Sequence, residues 1–152
     1  MILKDTSNYK EKAIILNKKS EIVFQKAGTY KTVKFTNHEL SKMKNNYLIH
    51  NHPSGSTLSE QDIQLALDHK LKEIVAFSAK GNYFRLIIKN NHDVTNVMLE
   101  YTKARKKVSS VLFRLIQAKL ITKEHATSER QHFIMSVFSE NSKDIIYENS
   151  KN

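Results

Sequence analysis

The chain contains no cysteine and no tryptophan, one proline and three glycines in 152 residues. Without cysteine there are no disulfides, thiolate nucleophiles, zinc fingers or iron–sulfur clusters, so any bound metal is held by His, Asp and Glu. No apolar run approaches the length of a bilayer span, and the Met1-Ile2-Leu3-Lys4-Asp5 start lacks the apolar core of a signal peptide. The expectation is a cytoplasmic protein with no membrane association. Few loop-builders, with 39% hydrophobic and 26% charged residues, exclude a disordered chain. The length fits one domain with its own core and a helical appendage.

Acidic side chains are also in short supply, 15 against 25 Lys and Arg, for a net charge of +10. Such an excess raises nucleic acid as a partner. Its distribution weakens that reading: 15 basic against 8 acidic side chains leave +7 in residues 1–91, and 10 against 7 leave +3 in residues 92–152. The only dense cluster, Lys103, Arg105, Lys106 and Lys107, lacks the interleaved aromatics of a single-strand-binding platform. A solvated lysine-rich surface is the favoured account.

Ala13-Ile14-Ile15-Leu16 and Glu21-Ile22-Val23-Phe24, joined by Asn17-Lys18-Lys19-Ser20, read as a β-hairpin closed by Gly28. Thr32-Val33-Lys34-Phe35 alternates as a third strand would. Thr36-Asn37-His38-Glu39 is a capping box opening a short helix through Met43. Tyr47-Leu48-Ile49 reads as a buried strand, and Ser59-Glu60-Gln61-Asp62 starts a second helix. Ile74–Phe77 and Tyr83–Ile88 form another hairpin across Lys80-Gly81-Asn82. The order predicts a mixed α+β domain. Beyond it, Val97, Tyr101, Ala104, Val108, Val111, Leu112, Leu115 and Ile116 recur at helical steps, predicting a long amphipathic helix over about 95–120, then a shorter one over 128–138. From Asn141 the chain is polar and reads as a disordered tail. The division is thus a domain over 1–91, a helical extension over 92–140 and a tail over 141–152.

The chemistry gathers in Ile49-His50-Asn51-His52-Pro53-Ser54-Gly55-Ser56-Thr57-Leu58-Ser59-Glu60-Gln61-Asp62, which holds two of seven histidines and the one proline. Side chains two apart on a strand share a face, so His50 and His52 aim at one point. Pro53, Ser54 and Gly55 break the strand, and Asp62 lies in the first turn of the following helix, from which a carboxylate can swing back. Two histidines and a carboxylate form the ligand set of a catalytic zinc site. Zinc lowers the pKa of a water from 15.7 toward about 7 and polarises a carbonyl; such a site still needs a carboxylate base and a donor for the oxyanion. Each residue also has a plain structural explanation, since Ser59-x-x-Asp62 is itself a capping-box spacing. His38, His69, His92, His125 and His132 lack a partner at ligand spacing and read as solvated or capping residues.

His50-Asn51-His52-Pro53-Ser54-Gly55 with Ser59 and Asp62 resembles the zinc motif of the JAMM metalloproteases, also called the JAB or MPN domain, with wording closest to the RadC-like branch. The pattern from Glu11-Lys12-Ala13-Ile14-Ile15 onward is similar to phage-associated JAB segments, and the resemblance spans roughly residues 10–89. It implies a cytidine-deaminase-type sheet flanked by helices, and Zn²⁺ held by His50, His52 and Asp62. It also implies that Ser59 supports the oxyanion and that a glutamate on an early strand relays the proton. Glu11 is the expected glutamate and Glu21 the reserve, with Glu39 accounted for as a cap. The family places ten residues between His-x-His and Asp; here nine separate His52 from Asp62. The compact segment between Glu11 and His50 leaves little room for the insertions that clamp ubiquitin in deubiquitinating members. The expected activity is zinc-dependent hydrolysis of a peptide or isopeptide bond in a protein or peptide substrate, a ubiquitin-like or phage protein among the candidates. The alternatives are a RadC-like nucleic-acid-associated module and a phage or mobile-element assembly factor. The apolar stripe of the long helix packs either on the domain or on a second copy in a homodimer.

Overall fold

The computed structural model describes residues 10–89 and 92–151; the reading of Met1–Asp5 falls outside them. Chain order is β1 (Lys12–Leu16), β2 (Ile22–Ala27), α1 (Asn37–Ser41), β3 (Tyr47–His52), α2 (Glu60–Asp68), β4 (Glu73–Ser78), β5 (Tyr83–Ile88), α3 (Val94–Gln117), α4 (Lys123–Asn141) and β6 (Ile145–Asn149). The strands form a mixed sheet in the order β2-β1-β3-β4-β5-β6. Among the described residues only β3 and β4 pair in parallel, as strands joined through a crossover helix can, and α2 is that helix. This is the mixed α+β class that the sequence pattern predicts.

Register puts the buried residues on one face. Ile15 pairs with Leu48, Leu48 with Ile74 and Ile74 with Leu86, all of them fully or almost fully buried. One step along, Ala13 pairs with His50, and His50 with Ala76. The apolar row therefore gives way to an imidazole flanked by two methyl groups, and His52, two residues on, lies opposite Ser78. Burying a Leu or Ile here contributes about 1.5–3 kcal/mol, whereas a buried imidazole must find partners. The small neighbours leave room for the ring; they do not satisfy its nitrogens.

Val97, Tyr101, Ala104, Val108 and Leu112 form the buried stripe of α3, and Ala126, Ile134, Met135 and Phe138 that of α4. The two helices pack on each other, with Tyr101 edge-on to Phe138 at 5.4 Å between ring centroids. The stripe of α3 is thus buried within the chain, although Val111, expected in it, is exposed.

Two expectations are corrected. Thr32-Val33-Lys34-Phe35 forms no strand. Gly28 approaches so closely that a Cβ would lie 2.1 Å from the Thr32 carbonyl oxygen, so the chain turns back there instead of pairing along β2. Phe35 instead meets Phe24 edge-on. The predicted tail is ordered over its described residues, 141–151: Ile145–Asn149 pairs antiparallel with β5, Ile145 opposite Ile88 and Tyr147 opposite Leu86. The extension accordingly returns to the sheet and completes it. Among the described residues no helix is long and apolar enough to cross a membrane.

Candidate metal centre

His50 and His52 stand at the C-terminal end of β3, 4% and 6% exposed, with their Nε2 atoms 2.7 Å apart. Asp62 enters from the first turn of α2, its Oδ1 3.5 Å from His50 Nε2 and its Oδ2 3.4 Å from His52 Nε2. The three side chains form a cluster able to hold a metal ion. Zinc bonds of about 2.0–2.1 Å in a tetrahedral site place ligand atoms roughly 3.3–3.4 Å apart. The two carboxylate distances come close to that spacing, and the histidine pair would open by about 0.6–0.7 Å.

Local structure prepares each ligand. Gly55, at φ +76, makes the turn after the strand, and its N–H donates to the His52 carbonyl at 2.9 Å. His52 Nδ1 lies 2.9 Å from the Ser56 carbonyl oxygen, which can only accept, so Nδ1 carries the proton and a neutral ring keeps its Nε2 lone pair for a cation. With that tautomer, the 2.7 Å contact requires His50 Nε2 to carry a proton where a metal would otherwise sit. His50 Nδ1 is then a buried nitrogen with no partner. A cation taken up by both Nε2 atoms and the carboxylate relieves the contact between the rings, so the donor set fits a metal such as zinc.

The capping box at Ser59 and the expected ligand role of Asp62 turn out to be one arrangement. Ser59 N–H donates to Asp62 Oδ2 at 2.8 Å, and Asp62 N–H donates to Ser59 Oγ at 3.1 Å. The cap that starts α2 therefore also aims the carboxylate, and the loop of nine residues brings it to the histidines. Burial works against the charge of Asp62, but His50 and His52 hold its carboxyl well below 3.8. Burial likewise pulls His52 down, and hydrogen bonding and attraction to Asp62 overcome it, leaving the imidazole above 6.5.

Glu11, immediately before β1, lines the same cleft as these three residues. Burial raises its carboxyl above 4.5 against the attraction of His52 and His50, and Asp62 adds to the rise. Its backbone is held on one side by Glu11 N–H to Thr29 O and Gly28 N–H to Glu11 O, both 2.8 Å. On the other side stands Asn51, 3% exposed, which donates Nδ2–H to the Lys10 carbonyl at 3.0 Å and accepts the Lys12 N–H at Oδ1. The residue between the two histidines thus grips the chain on both sides of Glu11. The spacing of the motif contains no sign of it beyond a buried amide between two ligands. Glu21 is exposed and accepts from the Asn17 side chain in the hairpin turn, away from the site. Ser59 lines the cleft; its oxygen accepts from Asp62 N–H, and its hydroxyl hydrogen remains free to donate.

The cleft holds about 980 Å³ and runs from the cluster past Ala13, Leu40, Leu48 and Leu65, under the irregular Tyr30–Phe35 segment. His69 lines it too, as the C-cap of α2, without joining the cluster. Arg105 pairs with Glu60 at 3.1 Å, and Lys106 and Lys107 are solvated, as expected of that helix face. Comparison of the chain with protein-family models, curated proteins and solved structures finds no match in any of the three.

Proposed function

We propose that the protein is a zinc-dependent hydrolase of peptide or isopeptide bonds, of the JAMM type that its motif resembles. The observation that carries the reading is the convergence of a two-histidine, one-aspartate cluster with a half-buried glutamate at the head of one large cleft. Zinc held by His50, His52 and Asp62 would supply Lewis acidity, polarising the substrate carbonyl and acidifying water. Glu11, acting as a carboxylate, takes a proton from the attacking water and returns it to the leaving amine. The C–N bond then breaks to a carboxylate and an amine. Asn51, Gly28 and Thr29 fix the backbone around Glu11, and Ser59 keeps its hydroxyl hydrogen for the developing oxyanion. A panel of linear and isopeptide-linked substrates tests the reading. Cleavage is expected to cease on chelation and to return when zinc is restored; cleavage that survives complete chelation would sink the metal mechanism.

A separate observation supports a second reading, binding of a nucleic-acid backbone. Lys44, Lys70, Lys72, Lys89 and His92 line a cleft of about 360 Å³ that no carboxylate among the described residues enters. Lys44 and Lys72 precede β3 and β4, and Lys89 follows β5, so this cleft lies at the opposite end of the sheet from the histidines. Lys44, Lys70 and Lys89 neutralising three phosphates give a log affinity that falls with log salt at a slope of roughly −3 for duplex DNA. Titration of a labelled duplex at several salt concentrations is expected to show that slope, reduced in Lys44→Glu/Lys89→Glu. A flat response, or no binding at low salt, removes this reading.

A further inference from the structure

The segment 53–59, between β3 and α2, sets two of the three metal ligands at its two ends. Its Ser56 carbonyl receives His52 Nδ1–H, and its Ser59 N–H holds Asp62. Between them lie Thr57 and Leu58, 5% and 0% exposed, and both are held by the C-terminal layer. Thr57 Oγ1 shares a hydrogen bond of 2.7 Å with the Tyr147 hydroxyl of β6, which also lies 3.1 Å from His132 Nδ1 of α4. Gln131, the preceding residue of α4, donates Nε2–H to the Leu58 carbonyl at 3.0 Å, and its Oε1 accepts from the Tyr101 hydroxyl of α3 at 3.3 Å. Gln131 of α4 and Tyr147 of β6 thus serve adjacent residues of the metal loop, across sequence separations of 73 and 90.

We propose that Tyr147 and Gln131 are positioning residues for the metal centre: through Thr57 and Leu58 they hold the loop that presents His52 and Asp62, so the C-terminal helices and β6 set zinc affinity. The inference rests on the zinc reading above. Its physical basis is leverage. A shift at Thr57 or Leu58 moves the acceptor of His52 and the donor of Asp62 together, because neither lies more than two residues away. The anchor is itself fixed, since Tyr147 N–H donates to Ser139 Oγ at 2.9 Å and its ring packs beside His132. Burial pushes the Tyr147 hydroxyl up to about 12, against the Thr57 hydrogen bond, so it stays protonated and can both donate and accept.

The test measures zinc affinity of the full chain by competition with a chromophoric chelator, at a temperature where every variant is folded by circular dichroism. Removing an outer partner of a metal ligand typically costs about 10–100-fold in metal affinity. Tyr147→Phe and Thr57→Val are each expected to weaken zinc by about 10-fold or more, and the double variant no further, because both delete one hydrogen bond. Thr57→Ser, which keeps the hydroxyl, is expected to bind as wild type does. Gln131→Leu is expected to weaken zinc independently; should it fail to fold, Tyr147→Phe, which removes a single oxygen, still decides. Wild-type affinity in Tyr147→Phe and Thr57→Val, with only the unfolding temperature lowered, would overturn the proposal by making these contacts merely structural. Failure of the wild-type chain itself to bind zinc would overturn the zinc reading instead.

Discussion

Replacing Glu11 with glutamine is expected to lower turnover of a cleaved peptide or isopeptide by about 10²–10⁴-fold, with zinc still bound. The substitution keeps the shape and removes the ability to accept a proton. The main-chain bonds of Glu11 to Gly28 and Thr29, and the Asn51 contacts to Lys10 and Lys12, involve no Glu11 side-chain atom, so the strand stays in place. Glu11 lies outside the ligand cluster, and metal content is therefore expected to persist. Stability should hold as well. Burial raises the Glu11 carboxyl above 4.5, so its ionised form is the costly one at neutral pH, and a neutral amide removes that cost. Activity needs the carboxylate, so it is expected to fall at acid pH as Glu11 takes up a proton. Glu21→Gln is the control, an exposed hairpin residue whose replacement leaves turnover unchanged. Full activity in Glu11→Gln, or loss of its zinc, would remove Glu11 from the assigned role.

The metal cluster was legible because it rests on short-range rules. A strand period of two puts His50 and His52 on one face, and a capping box four residues long places Asp62 in a first turn; both hold whatever the rest of the chain does. Long-range features escaped. Thr32–Phe35 alternates like a strand, but the close approach of Gly28 to Thr32 decides its path. Ile145-Ile146-Tyr147 sits among polar residues, and its strand character comes from pairing with β5, more than fifty residues earlier in the chain. In α4 the buried Ala126, Ile134, Met135 and Phe138 are interspersed with Ser, Gln and His, which blurs the stripe and predicts 128–138 where the helix runs Lys123–Asn141. Those same interspersed residues, Gln131 and His132, reach the metal loop and its anchor, so the blurred stripe follows from the contacts they make. Asn51 was hidden for a similar reason: its partners lie 39 and 41 residues away.

His50→Ala/His52→Ala is expected to abolish zinc binding, taking protein purified without added metal from about one ion per chain to none by elemental analysis. Asp62 alone cannot retain the ion, because a lone carboxylate is one ligand of three. The loss has a thermal signature. Zinc at about 1,000 times its dissociation constant stabilises the folded state by roughly 4 kcal/mol, or about 8–16 °C in the unfolding midpoint of a chain this long. That shift is expected in wild type and absent in the double variant. Its pH dependence follows from which ligand the ion must strip of a proton. Asp62 is held well below 3.8 and is already ionised near neutrality. His52 is raised above 6.5 by Asp62, so in the metal-free protein it contributes stability below 6.5 that is lost as pH rises through its raised value. Zinc requires the opposite form of the ring. The zinc-induced shift should therefore be largest above the raised His52 value and shrink as pH falls below it, because protons and metal compete for one nitrogen. The competition is decided at the imidazole and not at the carboxylate, so most of the loss should occur well above the pH at which Asp62 protonates. An equal shift at about pH 5 and pH 8, or an ion retained by the double variant, would mean that zinc is held elsewhere on the chain.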